Sequence, residues 1–507
     1  MKIQLCAQFN SKTQRRKDDL ARLLICVYLC NEMLLHKGII LALVLLCAVH
    51  SAFAKEFSTK GLHYPELVRT FYQKRQFKPV WTDPNLLKQL QQAIADAPLH
   101  GLEPGNYHYF QLQRGSDALR TDAFIALAHD LRFGRTTARL KGLEWKDSHK
   151  DADVLPALQA ALVSHQIKKH LENLAPAFDG YKLLQKQLKF YGQLALKREW
   201  PDFDKPADLE TGDPEQLQQL ERLLKKTGDL TKGMELVDAM ARFQWRHGLN
   251  ADGVVGEQTL AALKFTAAKR LTQIKLNLER MRWLPHTFPE RYVIVNVPGF
   301  DLKIYDQHKL VRTMRVVVGK KDWLTPTFLR SEINKIILNP YWHVPPNIAK
   351  QDIYPRLKKE PDYLTRMGIQ VVKDANGDLQ LRQNPGERNL LGRIKFVFPN
   401  RSQAYLHDSP EKDLFDSVLL SFSHGCIRVE DAIGLAGWML KQQGWSEGRL
   451  QQAIDTNKTQ TLSVSHPIPV YIVYLTAWVE ADGLLQFRND IYGKDDELAP
   501  TLYPRRP

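Results

Sequence analysis

The chain contains 507 residues, of which 44% are hydrophobic and 25% charged, and it carries a formal net charge of +15. These values describe an ordinary soluble globular protein with room for two or three domains, and they exclude a chain too short for a hydrophobic core. The excess of positive charge favours a polyanionic partner, such as cell wall, anionic lipid headgroups or nucleic acid. A generally basic protein without a specific electrostatic partner accounts for the charge equally well.

The first 54 residues have the three parts of an export signal. A short basic stretch precedes an unbroken apolar run at 39–49, and small residues follow at 51–54. We predict an N-terminal extension and signal peptide over 1–54, with cleavage after Ala54 and translation starting at Met33. The apolar run is shorter than the about 17–25 residues of a membrane span. The alternative is an uncleaved anchor that would keep the protein at the inner membrane. Export in either form argues against nucleic acid as a partner.

Residues 55–225 are predicted to form a helical scaffold domain. Apolar residues recur here at helical spacing, for example Leu86, Leu90 and Ala93. Turn-forming residues that begin at Gly101 interrupt the pattern. No motif in this region indicates a reaction, and its aromatic residues are better explained as hydrophobic core than as a binding site.

A compact helical unit is predicted at residues 226–268. Leu236, Met240 and Phe243 place apolar side chains on one face of a helix, and a turn-rich loop separates it from a second short helix. This unit resembles the small helical peptidoglycan-binding domain found beside many cell-wall enzymes. The matching elements are Phe243-Gln244, Gly248-Leu249, Asp252-Gly253 and Gly256-x-x-Thr259. The alternative is a degenerate module that only packs between its neighbours.

From Tyr292 the apolar pattern changes from helical to β. Alternating segments at 292–297 and 302–305 flank a Pro-Gly turn signal, which predicts a hairpin. Further strands are predicted at 314–318, 333–338, 394–398, 403–406 and 470–473. The polar stretch 347–389 separates these strands and has helical character over 352–366. We predict that it is a capping insertion over the sheet, where such segments often act as lids or substrate walls.

Cys426 is predicted to be the one cysteine of the exported chain. The other four of the five cysteines, Cys6, Cys26, Cys30 and Cys47, fall within the predicted extension and signal. A single thiol in an oxidising compartment has no partner for an internal disulfide, so we interpret it as a nucleophile. This argument depends on cleavage of the signal, because an uncleaved anchor would keep all five cysteines.

A thiol nucleophile needs a base, and it needs hydrogen-bond donors for the oxyanion that forms when it attacks a carbonyl. His407, upstream of Cys426, is predicted to be the base, with the backbone carbonyl or the carboxylate of Asp408 orienting its ring. The amides of Gly425 and Cys426 are the predicted oxyanion donors. His424 is expected to orient the loop, although the sequence ranks the two histidines only weakly.

The arrangement of these residues resembles that of the L,D-transpeptidase catalytic domain. The matching elements are His407 followed by Ser423-His424-Gly425-Cys426-x-Arg428, and Val318-Gly319 followed by Thr325-Pro326. The order of parts is similar to that of the large L,D-transpeptidases of Gram-negative bacteria. The resemblance implies a multidomain α+β protein: a helical scaffold, a small helical peptidoglycan-binding module, and a mainly β catalytic domain at 286–480 with an inserted helical capping subdomain. A C-terminal tail is predicted at 481–507.

The resemblance also implies roles for individual residues and a reaction. Cys426 would be the nucleophile and His407 the general base. Tyr405, His424, Gly425, Arg428 and Asp408 would shape or stabilise the site, and Trp342 and Tyr341 would bind substrate. The thiol would attack a tetrapeptide stem, release D-Ala, and pass the thioester-bound acyl group to an amine of a neighbouring stem, which gives a 3–3 cross-link. The partners would be peptidoglycan stem peptides and glycan in the periplasm, carbapenems would acylate the site, and no metal or organic cofactor is implied.

Other interpretations stay open from the sequence. Water as the acceptor would make the protein an L,D-carboxypeptidase, and a lipoprotein lysine or a free D-amino acid would be further acceptors. A zinc site would use His407, His424 and Cys426, with His343 as the nearest candidate for the fourth ligand of a structural site. A catalytically silent wall-binding scaffold is the last alternative, and the complete pair of His407 and Cys426 argues against it.

Overall fold

The structure is a computed structural model that describes residues 59–136, 154–197, 200–373 and 376–503. The predicted extension and signal over 1–54 lie outside these residues. The chain divides into two compact units, one with 59–83 and 111–122 and the other with 84–110 and the chain from 123 onward. None of the described helices has the length and apolar character that a bilayer crossing requires.

The described chain before residue 290 is helical, which confirms the predicted class of this region. Proline occupies the first turn of several helices, where its missing N–H costs no hydrogen bond. Leu86, Leu90 and Ala93 are buried, as their spacing predicts. The helices are Pro65–Gln73, Pro84–Ala95, Asp117–Phe133, Leu155–Ser164, Ile167–Glu172, Asp179–Lys197, Pro214–Thr227, Leu236–Arg246, Glu257–Leu263 and Ala267–Arg282, with 3-10 turns at Ala97–His100 and Pro104–Tyr107.

In the first unit, one carboxylate organises the chain around the Pro65–Gln73 helix. Asp117 accepts hydrogen bonds from the amides of Val80 and Trp81, at 2.8 and 2.9 Å, and from the hydroxyl of Tyr72. Tyr72 and Trp81 are both buried. Their polar groups are therefore satisfied inside the unit, as buried polar groups must be.

Three helices between 214 and 263 share one hydrophobic core. Met240 and Phe243 of the second helix pack in this core together with Leu220 and Leu223 of the first. The core therefore extends before the predicted start of this unit at residue 226. Gln244 holds the following loop, because its side chain accepts from the Gly253 amide at 2.7 Å and donates to the Val254 carbonyl at 2.8 Å.

The Ala267–Arg282 helix is buried along most of its length and connects the helical and β parts of the second unit. Glu279 is fully buried and accepts from both the amide and the hydroxyl of Thr136, at 2.8 and 2.7 Å. Asn277 accepts from the amide of Thr476, which follows the last long strand, at 2.9 Å. Buried hydrogen bonds on both sides thus fix the helix between the two parts.

The catalytic part predicted from the sequence is mainly β. The strands are β1 Tyr292–Asn296, β2 Asp301–Asp306, β3 Lys309–Gly319, β4 Leu329–Leu338, β5 Trp342–His343, β6 Ile369–Lys373, β7 Leu379–Gln383, β8 Ile394–Val397, β9 Leu406–His407, β10 Ser421–Ser423, β11 Ile427–Val429, β12 Gln460–Val473, β13 Ala477–Val479 and β14 Leu485–Phe487. The main sheet has the order β10-β3-β11-β9-β8-β4-β12-β1-β2, and β2 also pairs with β3, so the strands close around a core. β1 and β2 form the predicted hairpin, with Val293 opposite Ile304.

The capping insertion is helical only in its first half. Short helices at Pro346–Ile348, Tyr354–Lys359 and Tyr363–Arg366, with a π-helical turn at Ala349–Ile353, precede the hairpin of β6 and β7, which β5 extends. The prediction of a helical subdomain is therefore wrong for its second half. In β7 the apolar residues alternate with polar ones, as a half-buried strand requires.

Beyond β11 the chain adds helices that complete the folded part. Ala432–Leu440, Glu447–Asp455 and Lys494–Leu502 are helical. The sequence predicted a separate tail at 481–507. Its described residues are instead part of the folded domain, because β14 pairs with β13. The hydroxyl of Tyr492 also donates to the carbonyl oxygen of Gly319 at 2.5 Å.

Candidate active site

The pairing of β9 with β11 brings the predicted site residues together. The two strands run parallel with His407 opposite Arg428, so Tyr405 stands opposite Cys426 by the same register. Alternate residues of a strand share a face of the sheet, which puts these four side chains on the same face. The sequence predicted His407 just after a strand that ends at residue 406. The structure places it inside β9, two residues along the strand from Tyr405, the residue opposite the thiol.

A network of hydrogen bonds fixes the turn that carries the thiol. The hydroxyl of Ser423 donates to the Cys426 carbonyl at 2.6 Å and accepts from the Gly425 amide at 3.1 Å. Thr325 joins this turn to β3, because its hydroxyl accepts from the Gly319 amide at 2.8 Å and donates to the Gly425 carbonyl at 2.9 Å. Gly425 has a φ of 103°, which favours glycine. Of the two predicted oxyanion donors, the Gly425 amide already donates a hydrogen bond within the turn.

The thiol of Cys426 is half-buried beside a tyrosine and a lysine. Burial raises the pKa of the thiol, whereas a hydrogen bond with Tyr405 and the positive charge of Lys395 lower it. The ammonium of Lys395 lies 3.7 Å from the centroid of the Tyr405 ring. Burial, and after it a negative charge on Cys426, also raises the pKa of Tyr405 well above its usual value, so its hydroxyl stays protonated beside the sulfur.

The ring of His407 is buried and held by a backbone oxygen. Its Nδ1 lies 2.6 Å from the carbonyl oxygen of Asp408, one of the two partners predicted for it. The carboxylate of Asp408 instead accepts from Lys412 and from the amide of Arg393, both at 2.8 Å. Burial, followed by the charge of Arg428, lowers the pKa of His407 to about 3. In the described chain no hydrogen bond joins His407 to the thiol.

His424 contacts the capping insertion rather than the thiol. Its ring packs edge-on against Trp323, with centroids 4.9 Å apart, and its Nε2 lies 3.9 Å from the carboxylate of Asp352 in the π-helical turn. Burial lowers the pKa of His424, and the charge of Asp352 opposes that shift. The role of His424 in orienting the loop stays a prediction.

The two residues predicted to bind substrate differ in exposure. Trp342 is only 6% exposed and belongs to the core of the capping insertion, against which Tyr405 packs. Tyr341 is 40% exposed, and the guanidinium of Arg382 lies 4.5 Å from the centroid of its ring. Trp342 therefore supports Tyr405, whereas Tyr341 is available at the surface.

Two residues of this site, Lys395 and Tyr492, were not predicted from the sequence. Lys395 interrupts an otherwise apolar strand, Ile394-Lys395-Phe396-Val397, and that isolated charge was the signal that could have identified it. Tyr492 holds the carbonyl of Gly319 from a position 173 residues away in the chain. No local pattern marks Tyr492.

Three family models match successive parts of the chain. Residues 66–188 match a scaffold domain, 214–263 match a domain described as "Putative peptidoglycan binding domain", and 290–470 match the L,D-transpeptidase catalytic domain. The chain carries an L,D-transpeptidase catalytic domain. This L,D-transpeptidase domain includes both Cys426 and His407, and the order of the three matches confirms the predicted order of parts.

Individual relatives are similar over part of the chain. A protein of Haemophilus influenzae named "Putative L,D-transpeptidase" is 30% identical over 243 residues, which are 45% of this chain and 48% of that protein. The match thus spans about half the length of that relative. Among solved structures, an L,D-transpeptidase from Mycobacterium smegmatis is 16% identical over 36% of this chain and 58% of its own, with a TM-score of 0.19. One from Xylanimonas cellulosilytica is 16% identical over 54% and 98%, with a TM-score of 0.17.

Proposed function

We propose that the protein is a peptidoglycan L,D-transpeptidase whose nucleophile is Cys426. The observation that supports this most is the position of the thiol inside the L,D-transpeptidase domain, opposite Tyr405 and diagonal to His407. Burial raises the pKa of this thiol, and the neighbouring Tyr405 and Lys395 oppose that rise, which favours the thiolate that a nucleophile needs. In the described chain Cys426 is the only cysteine, and its thiol is free.

In the proposed first half-reaction, Nε2 of His407 accepts the thiol proton, and the thiolate attacks the carbonyl of the third residue of a tetrapeptide stem. The bond to D-Ala then breaks, the leaving amine takes up the proton, and a thioester remains on Cys426. Because no hydrogen bond joins the two side chains in the described chain, the proposal requires that they approach each other when substrate binds.

In the second half-reaction, the amine of a neighbouring stem attacks the thioester and gives a proton to His407. The thiolate leaves, and the new amide is a 3–3 cross-link. The amide of Cys426 is the proposed oxyanion donor that the turn does not use, and Gly425, Arg428 and His424 keep the loop in place. Tyr341 is the proposed contact with substrate at the exposed edge of the site.

The partners and location follow from the same proposal. The chain contains a match to a peptidoglycan-binding domain, and its net charge of +15 suits a polyanionic wall. We propose that the protein works in the periplasm on stem peptides and glycan, that an uncleaved signal would add an inner-membrane anchor, and that carbapenems acylate Cys426.

The test is incubation with a disaccharide-tetrapeptide and mass analysis of the products. Cross-linked dimers from the wild-type protein, and none from Cys426→Ala, would support the transpeptidase. Tripeptide alone would establish the second candidate, an L,D-carboxypeptidase that uses water. No product from either protein would favour a silent wall-binding scaffold.

A covalent probe tests the nucleophile by itself. We expect intact-mass analysis to show a carbapenem adduct on the wild-type protein and none on Cys426→Ala. An adduct that persists in Cys426→Ala would refute the assignment. Stoichiometric zinc that a chelator removes with loss of activity would favour the alternative in which Cys426 and the histidines bind metal.

A further inference from the structure

Lys395 enters the site from a strand that the catalytic motif does not include. β8 pairs antiparallel with β9, and Lys395 stands opposite His407. His407 in turn stands opposite Arg428 of β11, so three adjacent strands place these residues in one row. From this row the ammonium of Lys395 reaches the face of Tyr405, 3.7 Å from the ring centroid.

The surroundings of Lys395 are unusual for a lysine. The residue is partly buried, and no carboxylate of the described chain lies within ion-pair distance of it. Burial lowers the pKa of its ammonium, and a negative charge on Cys426 opposes that shift. Partial burial of an unpaired charge costs free energy. Keeping this cation in the site therefore costs free energy. A negative charge on the neighbouring sulfur would offset that cost.

We propose that Lys395 is a positioning residue that supplies the counter-charge of the Cys426 thiolate through the ring and hydroxyl of Tyr405. A cation on the face of an aromatic ring is attracted to its π electrons and draws density from the ring. The phenol thereby becomes a stronger hydrogen-bond donor to the sulfur. The inference rests on the proposed function, in which Cys426 is the nucleophile.

Other charged groups around the thiol are already engaged. Arg428 forms an ion pair with Glu411. His407 is held neutral near physiological pH by its lowered pKa of about 3. The titratable groups packed around the thiol are Lys395 of β8, Tyr405 and His407 of β9, Arg428 of β11, and His424 of the turn with Asp352 beside it. Lys395 is the cation of this set that has no carboxylate partner in the described chain.

The experiment measures the rate at which iodoacetamide alkylates Cys426, from acidic to alkaline pH, in the full-length protein. Mass analysis of the peptide that contains Cys426 separates this thiol from any other cysteine. For Lys395→Met we expect about tenfold slower alkylation at neutral pH, because a nearby opposite charge lowers a thiol pKa by about one unit or more. At alkaline pH, where the thiol is fully ionised, the rate should equal that of the wild type. Lys395→Arg keeps the charge and should retain the wild-type profile.

Lys335→Met is the matched control, because Lys335 is an exposed lysine on β4, next to β8. Its profile should overlay that of the wild type. An unchanged profile for Lys395→Met, or a uniform decrease at every pH, would overturn the proposal. If Lys395→Met does not fold, Lys395→Gln takes its place, and failure of both to fold would also overturn it. Alkylation needs no substrate, so its outcome is independent of the cross-linking and carbapenem tests of the proposed function.

Discussion

Nδ1 of His407 lies 2.6 Å from the backbone carbonyl oxygen of Asp408. A carbonyl oxygen only accepts hydrogen bonds, so this nitrogen carries the proton and Nε2 is the acceptor of the neutral ring. Burial, and after it the charge of Arg428, lowers the pKa of the ring to about 3. The ring is therefore neutral near physiological pH, and its Nε2 carries no proton.

Replacement of this base should slow the acylation step. We expect His407→Gln to form the carbapenem adduct about 10²–10⁴-fold more slowly, the contribution usual for a positioned base. Because the pKa of His407 is far below its usual value, the wild-type rate should show no inflection from this group near 6.5. His466→Gln, at an exposed histidine, is the control. A wild-type rate for His407→Gln would contradict the assignment of the base.

The same pKa predicts how stability depends on pH. The unfolded chain protonates this histidine near 6.5, and the native protein only near 3, so the unfolded state binds more protons between these values. The free energy of unfolding should fall as pH decreases through this window and be fully retained above it. Denaturant melts of the wild type and His407→Gln measure the effect. A decrease that is equally steep in both proteins would assign it to other groups, such as His100, whose pKa burial also lowers to about 3.

Removal of the Thr325 hydroxyl should loosen the turn that carries the thiol. Thr325→Val leaves both the Gly319 amide and the Gly425 carbonyl without this partner. We expect the free energy of unfolding to fall by about 1–3 kcal/mol, and carbapenem adduct formation to slow. Thr327→Val, two residues further along, is the control in both measurements. Equal behaviour of the two variants would show that the Thr325 bridge has no role.

Alanine substitutions at two glycines should change the free energy of unfolding in opposite directions. In Gly319→Ala the new Cβ would lie 1.8 Å from the carbonyl oxygen of Trp323, so we expect destabilisation of about 3 kcal/mol. In Gly448→Ala, inside the Glu447–Asp455 helix, no atom of the described residues lies within 4 Å of the new Cβ. Stabilisation of about 0.4–1 kcal/mol is expected there, because alanine restricts the unfolded chain. Urea melts would show changes of opposite sign, and changes of the same sign would contradict this account.

Loss of the buried carboxylate of Glu279 should be costly. Glu279 accepts from Thr136 and pairs with Arg282, whose side chain is also fully buried. Glu279→Gln leaves that guanidinium uncompensated, so we expect a loss of about 3–5 kcal/mol in the free energy of unfolding. Glu221→Gln removes the partner of Lys225 in an exposed pair and should cost less than about 1 kcal/mol. Similar losses in both variants would refute the role of burial.

Local patterns in the sequence predicted much of this protein. The helical spacing of Leu86 and Leu90, and the alternation at 292–297, identified elements that the structure contains. The β half of the capping insertion was missed, because its two strands of five residues each pair mainly with each other and stand apart from the main sheet. The position of His407 inside β9 was also not predicted, because a strand of two residues forms only by pairing with neighbouring strands.

The sequence by itself determined the order of the parts and the pairing of one cysteine with one upstream histidine, because motifs and periodicity are local properties of the chain. Only the tertiary structure decided what surrounds the thiol. Tyr405 meets Cys426 through the register of two strands, Lys395 reaches Tyr405 from a third, and Tyr492 supports Gly319 across 173 residues. These contacts depend on strand pairing between distant segments, and burial then sets the pKa values of the groups. Neither property can be read from residue spacing.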